Sequence, residues 1–342
     1  MSSLAELKKI IEDSKEIDFY SDLYSSIDTD SINDMSDFRE QVPVINKEGL
    51  LDYYSDGNFS LNSDEIEGPV LARPTSGTTS DMACYYRGDD EIEAHCERFV
   101  NSSGKFFESG KNKDRVMIAT TFSLNPILAR QFTENGCMVT CNSPFDVERT
   151  AEVMKTIGCN VIVASPPVAL KVSKKLKKDG YEGLEKYYFV SSGLSELTKK
   201  RFRNIYPEAE IMLQYGLAET GILMKQCERL KGGNRYHTFD EDSTFHYEFV
   251  TEENDEASPG EIGEIIVTKF HKDTPLIRYN VGDLFEVQEK CKCGNRIYRF
   301  VGRKEDKFKI QGVTVFKERI ENALKPFEGR INHYQVIIDE ED

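Results

Sequence analysis

Residues 73–80 read RPTSGTTS, a knot of hydroxyls around Gly77. Short hydroxylated side chains and unhindered backbone N–H groups are what a loop wrapping phosphate oxygens requires, although the same composition also makes an ordinary surface loop. Three further stretches add charge in a fixed order. QYGLAETG at 214–221 puts Glu219 where a carboxylate can hold a hard divalent cation beside phosphates. LIRYNVGDL at 276–284 puts Asp283 behind a glycine turn, suited to accept both hydroxyls of a ribose. GRKEDKFKIQG at 302–312 supplies Arg303 for a ribose or a phosphate, with a charged bend at Glu305. Singly, each has a plain structural account: Glu219 as a helix cap, Asp283 as a turn former, Arg303 in a surface ion pair.

The elements that must position these residues change character along the chain. From about residue 90 to 216 apolar runs (RVMIAT, CMVTC, NVIVAS, YYFVSS, EIMLQYG) alternate with amphipathic stretches, a pattern that predicts a parallel sheet covered by helices. NPILARQFTENG reads as a helix closing on Gly136, DVERTAEVMKTIG as one capped by Asp146 and closing on Gly158, and SELTKKRFRNIYP as one with a serine cap. Ligands of such α/β sheets sit beyond the carboxyl ends of the strands. Past residue 222 short alternating segments, FHYEFV and GEIIVTKF, predict a small, mainly antiparallel β unit. The expected division is an α/β core over 1–221, a β-rich unit over 222–302, and a short terminal piece over 303–342.

Composition narrows the class. The 342 residues are 39% hydrophobic and 30% charged, with no apolar run near the roughly 20 residues of a membrane span. The first residues, MSSLAELKKIIEDSKEIDF, lack the apolar centre of a secretory signal, so a cytoplasmic protein acting away from membranes is expected. A net charge of −16 argues against nucleic acid as a partner. Eight scattered cysteines do not form a secreted disulfide framework.

In sequence, the hydroxyl-rich loop, Tyr-Gly-x-x-Glu, Tyr-x-x-Gly-Asp and Gly-Arg-x-x-Asp resemble the acyl-adenylate-forming superfamily, whose members activate carboxylic acids with ATP. More narrowly, the segments SPPVALKV at 165–172, SSGLSELTKKRF at 191–202 and GVTVFKERIE at 312–321 resemble the phenylacetate-CoA ligase branch. The resemblance implies an acid–thiol ligase that uses MgATP to make an acyl-AMP and then a coenzyme A thioester. It implies that Thr75, Ser76, Gly77, Thr78 and Thr79 wrap the phosphates, with Thr78, Thr79 and Glu219 as the catalytic residues. Ser192 and Gly193 would line the adenine or acyl pocket, Tyr215 and Gly216 would lie beside the adenylate, Glu219 would hold Mg²⁺, and Asp283 and Arg303 would take the ribose. Phe122, Asn125 and Pro167 follow strand ends on the face where the acyl group belongs.

Two departures are visible. Ser80 and Ala83 stand where the family loop continues with glycine and often lysine. Relatives also carry a C-terminal lid that rotates between the two half-reactions; with Asp342 so soon after the hinge-like Glu305, it is expected to be truncated or absent. Alternatives therefore stay open: transfer to a carrier protein or amine instead of CoA, a non-catalytic nucleotide-binding protein, and a homodimer. Finally, Cys227 and His237 precede the β unit and Cys291 and Cys293 end it, so the four can meet as a tetrahedral structural Zn²⁺ site, which the branch resemblance supports. The other cysteines, Cys84, Cys96, Cys137, Cys141 and Cys159, read as small hydrophobes, and His95, His246, His271 and His333 as ordinary polar residues.

Overall fold

A computed structural model describes residues 4–55, 70–74, 84–121, 124–190, 193–239, 244–271, 274–310 and 313–316, with the single positions 320, 323, 324 and 327. Four helices lead: α1 (Leu4–Ser14), α2 (Asp18–Tyr24), α3 (Met35–Gln41) and α4 (Lys47–Ser55). A hairpin of β1 (Val70–Pro74) and β2 (Cys84–Gly88) follows, with Pro74 paired to Cys84. Next come α5 (Asp89–Asn101), β3 (Arg115–Ala119), α6 (Asn125–Glu134), β4 (Met138–Cys141), α7 (Val147–Ile157), β5 (Val161–Ala164), α8 (Pro166–Lys178), β6 (Lys186–Val190), α9 (Glu196–Ile205) and β7 (Glu210–Leu217). Strands fill the rest: β8 (Gly221–Lys225), β9 (Arg235–Thr238), β10 (Phe245–Val250), β11 (Ile262–Lys269), β12 (Leu276–Lys290), β13 (Arg296–Arg303), β14 (Lys307–Ile310) and β15 (Val313–Phe316).

Five strands, in the order β4-β3-β5-β6-β7, are parallel, and β7 turns back on itself into β8, from which an antiparallel set continues as β9-β13-β12-β11-β10. The fold is thus α/β, a helix-covered parallel half edge to edge with an antiparallel one, and the hairpin β7–β8 joins them. Alternation along the parallel strands explains the layers. Val116, Ile118, Val161, Val163 and Tyr188 face Phe99 and Phe132 of α5 and α6, while Met117, Ile162, Tyr187 and Phe189 face Met154, Val172 and Phe202 of α7, α8 and α9. A sheet buried on both faces needs apolar residues at every position, which is why these strands read as continuous runs.

The helix signals are seated as the sequence reads. Asp146 accepts from Arg149 N at 2.9 Å, Gly158 closes α7 with φ 73°, and Ser195 accepts from Thr198 N at 3.2 Å. The leading helices form an arm against β12. Tyr20 donates to Pro275 O at 3.0 Å, Ile45 bridges to Tyr279 in parallel fashion, and Arg278 donates to Arg39 O at 2.8 Å and Val42 O at 2.6 Å while pairing with Glu248. None of the described helices is long and apolar enough to cross a membrane.

Candidate functional site

The β7–β8 hairpin is held so tightly that only glycine fits at two of its positions. A Cβ on Gly216 would stand 2.3 Å from Gly221 O, and Gly221 combines φ +77° with the ring of His95, whose Nε2 would lie 1.5 Å from an added Cβ. This compact turn presents Tyr215 and Glu219 at the carboxyl end of the last parallel strand. The Tyr215 hydroxyl donates to Asp283 Oδ2 at 2.6 Å, and the Tyr279 hydroxyl donates to Glu219 Oε1 at 2.7 Å. Both phenols are pushed far above their ordinary range, first by burial and then by the carboxylates they serve.

Asp283 does not follow a turn between elements, as its sequence context suggests; it lies inside the long strand β12, just after Gly282 at φ +78° and paired in register with Arg303 of β13. The pleat therefore delivers it, 1% exposed, beside Tyr215. Arg303 Nε stands 3.2 Å from Asp283 Oδ1, an ion-pair distance without hydrogen-bond alignment, so that buried oxygen keeps its lone pairs free among the described residues. Burial pushes the Asp283 carboxyl up to about 6, with the Tyr215 bond and Arg303 pulling the other way and Glu219 and Glu305 adding to the rise. Arg303 also donates to Glu305 at 3.2 Å. Three segments far apart in the chain thus bring Tyr215, Glu219, Asp283, Arg303 and Glu305 together: an acceptor with a free oxygen, a flanking cation and a second carboxylate.

Beneath the hairpin lies a cluster that sequence reasoning missed. Glu91 in the first turn of α5 accepts from Arg87 Nε at 2.9 Å, Lys269 Nζ at 3.2 Å and Thr274 Oγ1 at 2.8 Å, with His271 Nδ1 4.0 Å away. Arg87 also donates to Ala218 O, and Lys269 Nζ lies 3.5 Å from Glu219 O, so the two cations grip the backbone on which Glu219 rides. Burial opposes the charge on Glu91, yet the cations hold it down at about 2; burial lowers Lys269 to about 8 against the pull of Glu91. Arg87 at the end of β2 and Glu91 at the start of α5 stand four positions apart, but Lys269 and Thr274 come from distant segments.

The remaining expected residues fall as follows. Thr75, Ser76, Gly77, Thr78, Thr79, Phe122 and Ser192 lie outside the described residues, as do Ser80 and Ala83. Gly193 follows β6, where its backbone meets Asn234: Leu194 N donates to Asn234 Oδ1 at 2.9 Å, and an added Cβ would crowd that amide at 3.1 Å. Asn125 opens α6 and accepts from Thr120, and Pro167 sits in the first turn of α8. A small pocket opens near the hairpin, walled by Leu124, Ile127, Val190, Leu217 and Ile222 with Arg87, His95 and Gln214; Asn125 and Pro167 do not line it. Of the cysteines read as small hydrophobes, Cys96, Cys137 and Cys159 are buried and Cys141 is exposed. His95 and His271 are part of the architecture around the site and not incidental polar residues.

At the other side of the antiparallel half, the donor atoms of Cys227, His237, Cys291 and Cys293 all lie within 4.8 Å of one another. Cys227 Sγ is 3.9 Å from Cys291 Sγ and 3.4 Å from His237 Nε2, and Cys293 Sγ is 3.3 Å from that nitrogen. Tetrahedral bonds of about 2.3 Å to sulfur and about 2.0 Å to nitrogen call for ligand separations of about 3.5 to 3.8 Å. His237 Nδ1 lies 2.7 Å from Arg296 O, an acceptor, so this nitrogen carries the proton and Nε2 turns its lone pair to the cysteines. The four donors fit a closed tetrahedral cation site.

No family model matches the chain. Among curated proteins, phenylacetate-coenzyme A ligase of Pseudomonas putida is 25% identical over 311 residues, covering 86% of this chain and 68% of the relative. The enzyme of the same name from Escherichia coli (strain K12) is 25% identical over 332 residues, covering 92% and 72%. Among solved structures, an open conformation of 2-hydroxyisobutyryl-CoA ligase with its acyl-AMP and CoA superposes with TM-score 0.77 at 19% identity, covering 95% of this chain and 80% of that one. Sequence and fold agree: the chain is similar in sequence to phenylacetate-coenzyme A ligases and shares its fold with a solved acyl-CoA ligase.

Proposed function

We propose that the protein activates a carboxylic acid with MgATP, forming an acyl-AMP and pyrophosphate, and then passes the acyl group to coenzyme A. The observation that carries this reading is the convergence of Glu219, Asp283 and Arg303, from three distant segments, at the carboxyl end of β7. In the first step a carboxylate oxygen attacks the α-phosphorus, a bond to that oxygen forms, and the bond to pyrophosphate breaks. Attack of one anion on another is slow unless charge is neutralised and the groups are held in line. Asp283, with Oδ1 free, accepts the ribose hydroxyls; Arg303 fixes Asp283 and offers charge to the nucleotide. Glu219, half-buried and braced by Tyr279, is a carboxylate of the kind that holds Mg²⁺ together with substrate phosphates. The cation, when bound, screens the phosphate charge.

The test is acid-dependent exchange of labelled pyrophosphate into ATP, followed by loss of free CoA thiol on adding CoA. Exchange and thiol loss support the reading; ATP binding with no exchange across aryl and short acyl acids overturns it.

The elevated Asp283 carboxyl sets a pH dependence. Because burial disfavours its charged form, the group takes up a proton as pH falls through about 6 instead of the usual ~3.9. The neutral acid is the weaker acceptor. AMP affinity measured by calorimetry is therefore expected to fall between pH 7 and pH 5, and Asp283→Asn is expected to bind weakly and without that pH dependence. An unchanged profile in the variant removes Asp283 from the ribose role.

The cysteine–histidine set we assign to a structural Zn²⁺: four protein ligands leave no open position for chemistry. Protein prepared without chelator is expected to carry about one equivalent of zinc, lost in His237→Ala together with a lowered melting temperature. Metal-free protein of unchanged melting temperature would count against the assignment.

A further inference from the structure

The pocket beside the β7–β8 hairpin carries two hydrogen-bond donors that have no acceptor among the described residues. Gln214, 1% exposed in β7, receives the Tyr188 hydroxyl on Oε1, and Tyr188 is itself hydrogen-bonded by Ser103, so the amide NH₂ of Gln214 is the end left over. Its Nε2 is buried and has no partner among the described residues. Arg87, 2% exposed, spends Nε on Glu91 and Nη2 on Ala218 O, and its Nη1 is likewise buried without a partner. Both residues line the pocket, whose other walls include Leu124, Ile127, Val190 and Ile222. A purely apolar acyl group would bury these donors unpaired, at a cost that a matching acceptor removes. Charge points the same way. Arg87 brings a cationic group to the pocket wall, in a chain whose net charge is −16, and behind it Glu91 is shared between Arg87 and Lys269.

We infer that the acid activated here is small and carries a second oxygen acceptor, a carboxylate, hydroxyl or oxo group, which Gln214 Nε2 and Arg87 Nη1 receive while the apolar walls hold its carbon skeleton. The inference rests on the adenylation reading and names the substrate class of that same site. Sites built to hydrogen-bond a substrate group discriminate strongly against analogues lacking it, whereas an apolar slot discriminates weakly on methylenes alone.

The experiment is pyrophosphate exchange with the full chain and matched acids: butyrate and phenylacetate against 3-hydroxybutyrate, levulinate and succinate. Expected is a kcat/KM at least ~100-fold higher for one of the oxygen-bearing acids, the three arms telling hydroxyl, oxo and carboxylate apart. Gln214→Glu keeps the acceptor for Tyr188 but replaces the donor, and Gln214→Leu removes both; each is expected to erase at least ~10-fold of that preference, with melting temperatures reporting whether the variants fold. Equal or better exchange with butyrate or phenylacetate overturns the inference while leaving adenylation intact. Exchange with no acid overturns the adenylation reading and this inference with it.

Discussion

Replacing Glu91 with alanine is expected to cost about 3–5 kcal/mol of folding stability. Arg87 and Lys269 both sit at 2% exposure against it, and without the carboxylate two cations remain in a dry interior with only backbone carbonyls and Thr274 for company. The measurement is the midpoint of guanidinium unfolding, with Glu91→Gln as the control that keeps shape and loses charge. A midpoint unchanged in both would mean that the cluster is not closed in solution. The pH behaviour has a definite sign. Glu91 is held below its ordinary value, so its stabilisation is complete above the unfolded pKa of ~4.3 and is lost as pH falls toward about 2. Because Arg87 and Lys269 also grip the carbonyls of Ala218 and Glu219, variants that still fold are expected to lose turnover as well.

Glu219→Gln is expected to have the largest effect on catalysis without disturbing the fold. The amide keeps an oxygen for the Tyr279 hydroxyl but removes the charge that would hold a divalent cation. Outer-shell partners of metal ligands commonly cost 10–100-fold when lost, so a ligand itself is expected to cost at least ~100-fold in the rate of pyrophosphate exchange, partly recovered at high Mg²⁺. AMP, which binds without the cation, is expected to keep its affinity. Loss of AMP binding in parallel with turnover would place Glu219 against the nucleoside instead.

The sequence made the parallel half legible because its signals are local. Asp146, Gly158 and Ser195 terminate their helices through bonds to backbone within a turn, and strands buried on both faces advertise themselves as apolar runs. Glu219, Asp283 and Arg303 stood out through glycine-bearing motifs that order the site along the chain. What stayed hidden depends on pairings that no short window contains. Lys269 reaches Glu91 across 178 positions, and each alone looks like a solvated surface charge. Asp283 looked like a turn residue because Gly282 precedes it, whereas β12 continues through it, with register shifts in its pairing to β13 at Leu284/Phe285 and Gln288/Lys290. His95 gave no sign in sequence of packing its ring on Gly221, since that contact exists only once α5 lies across the hairpin.

The amino-terminal arm has a kinetic consequence. The parallel half is made of neighbours in sequence and can assemble as it is synthesised, but β12 finds its partners Tyr20, Ile45, Arg39 and Val42 across more than two hundred positions. Loops that long close slowly. Docking of the arm is therefore expected to follow assembly of the parallel half, so that the strand bearing Asp283 gains its backing late.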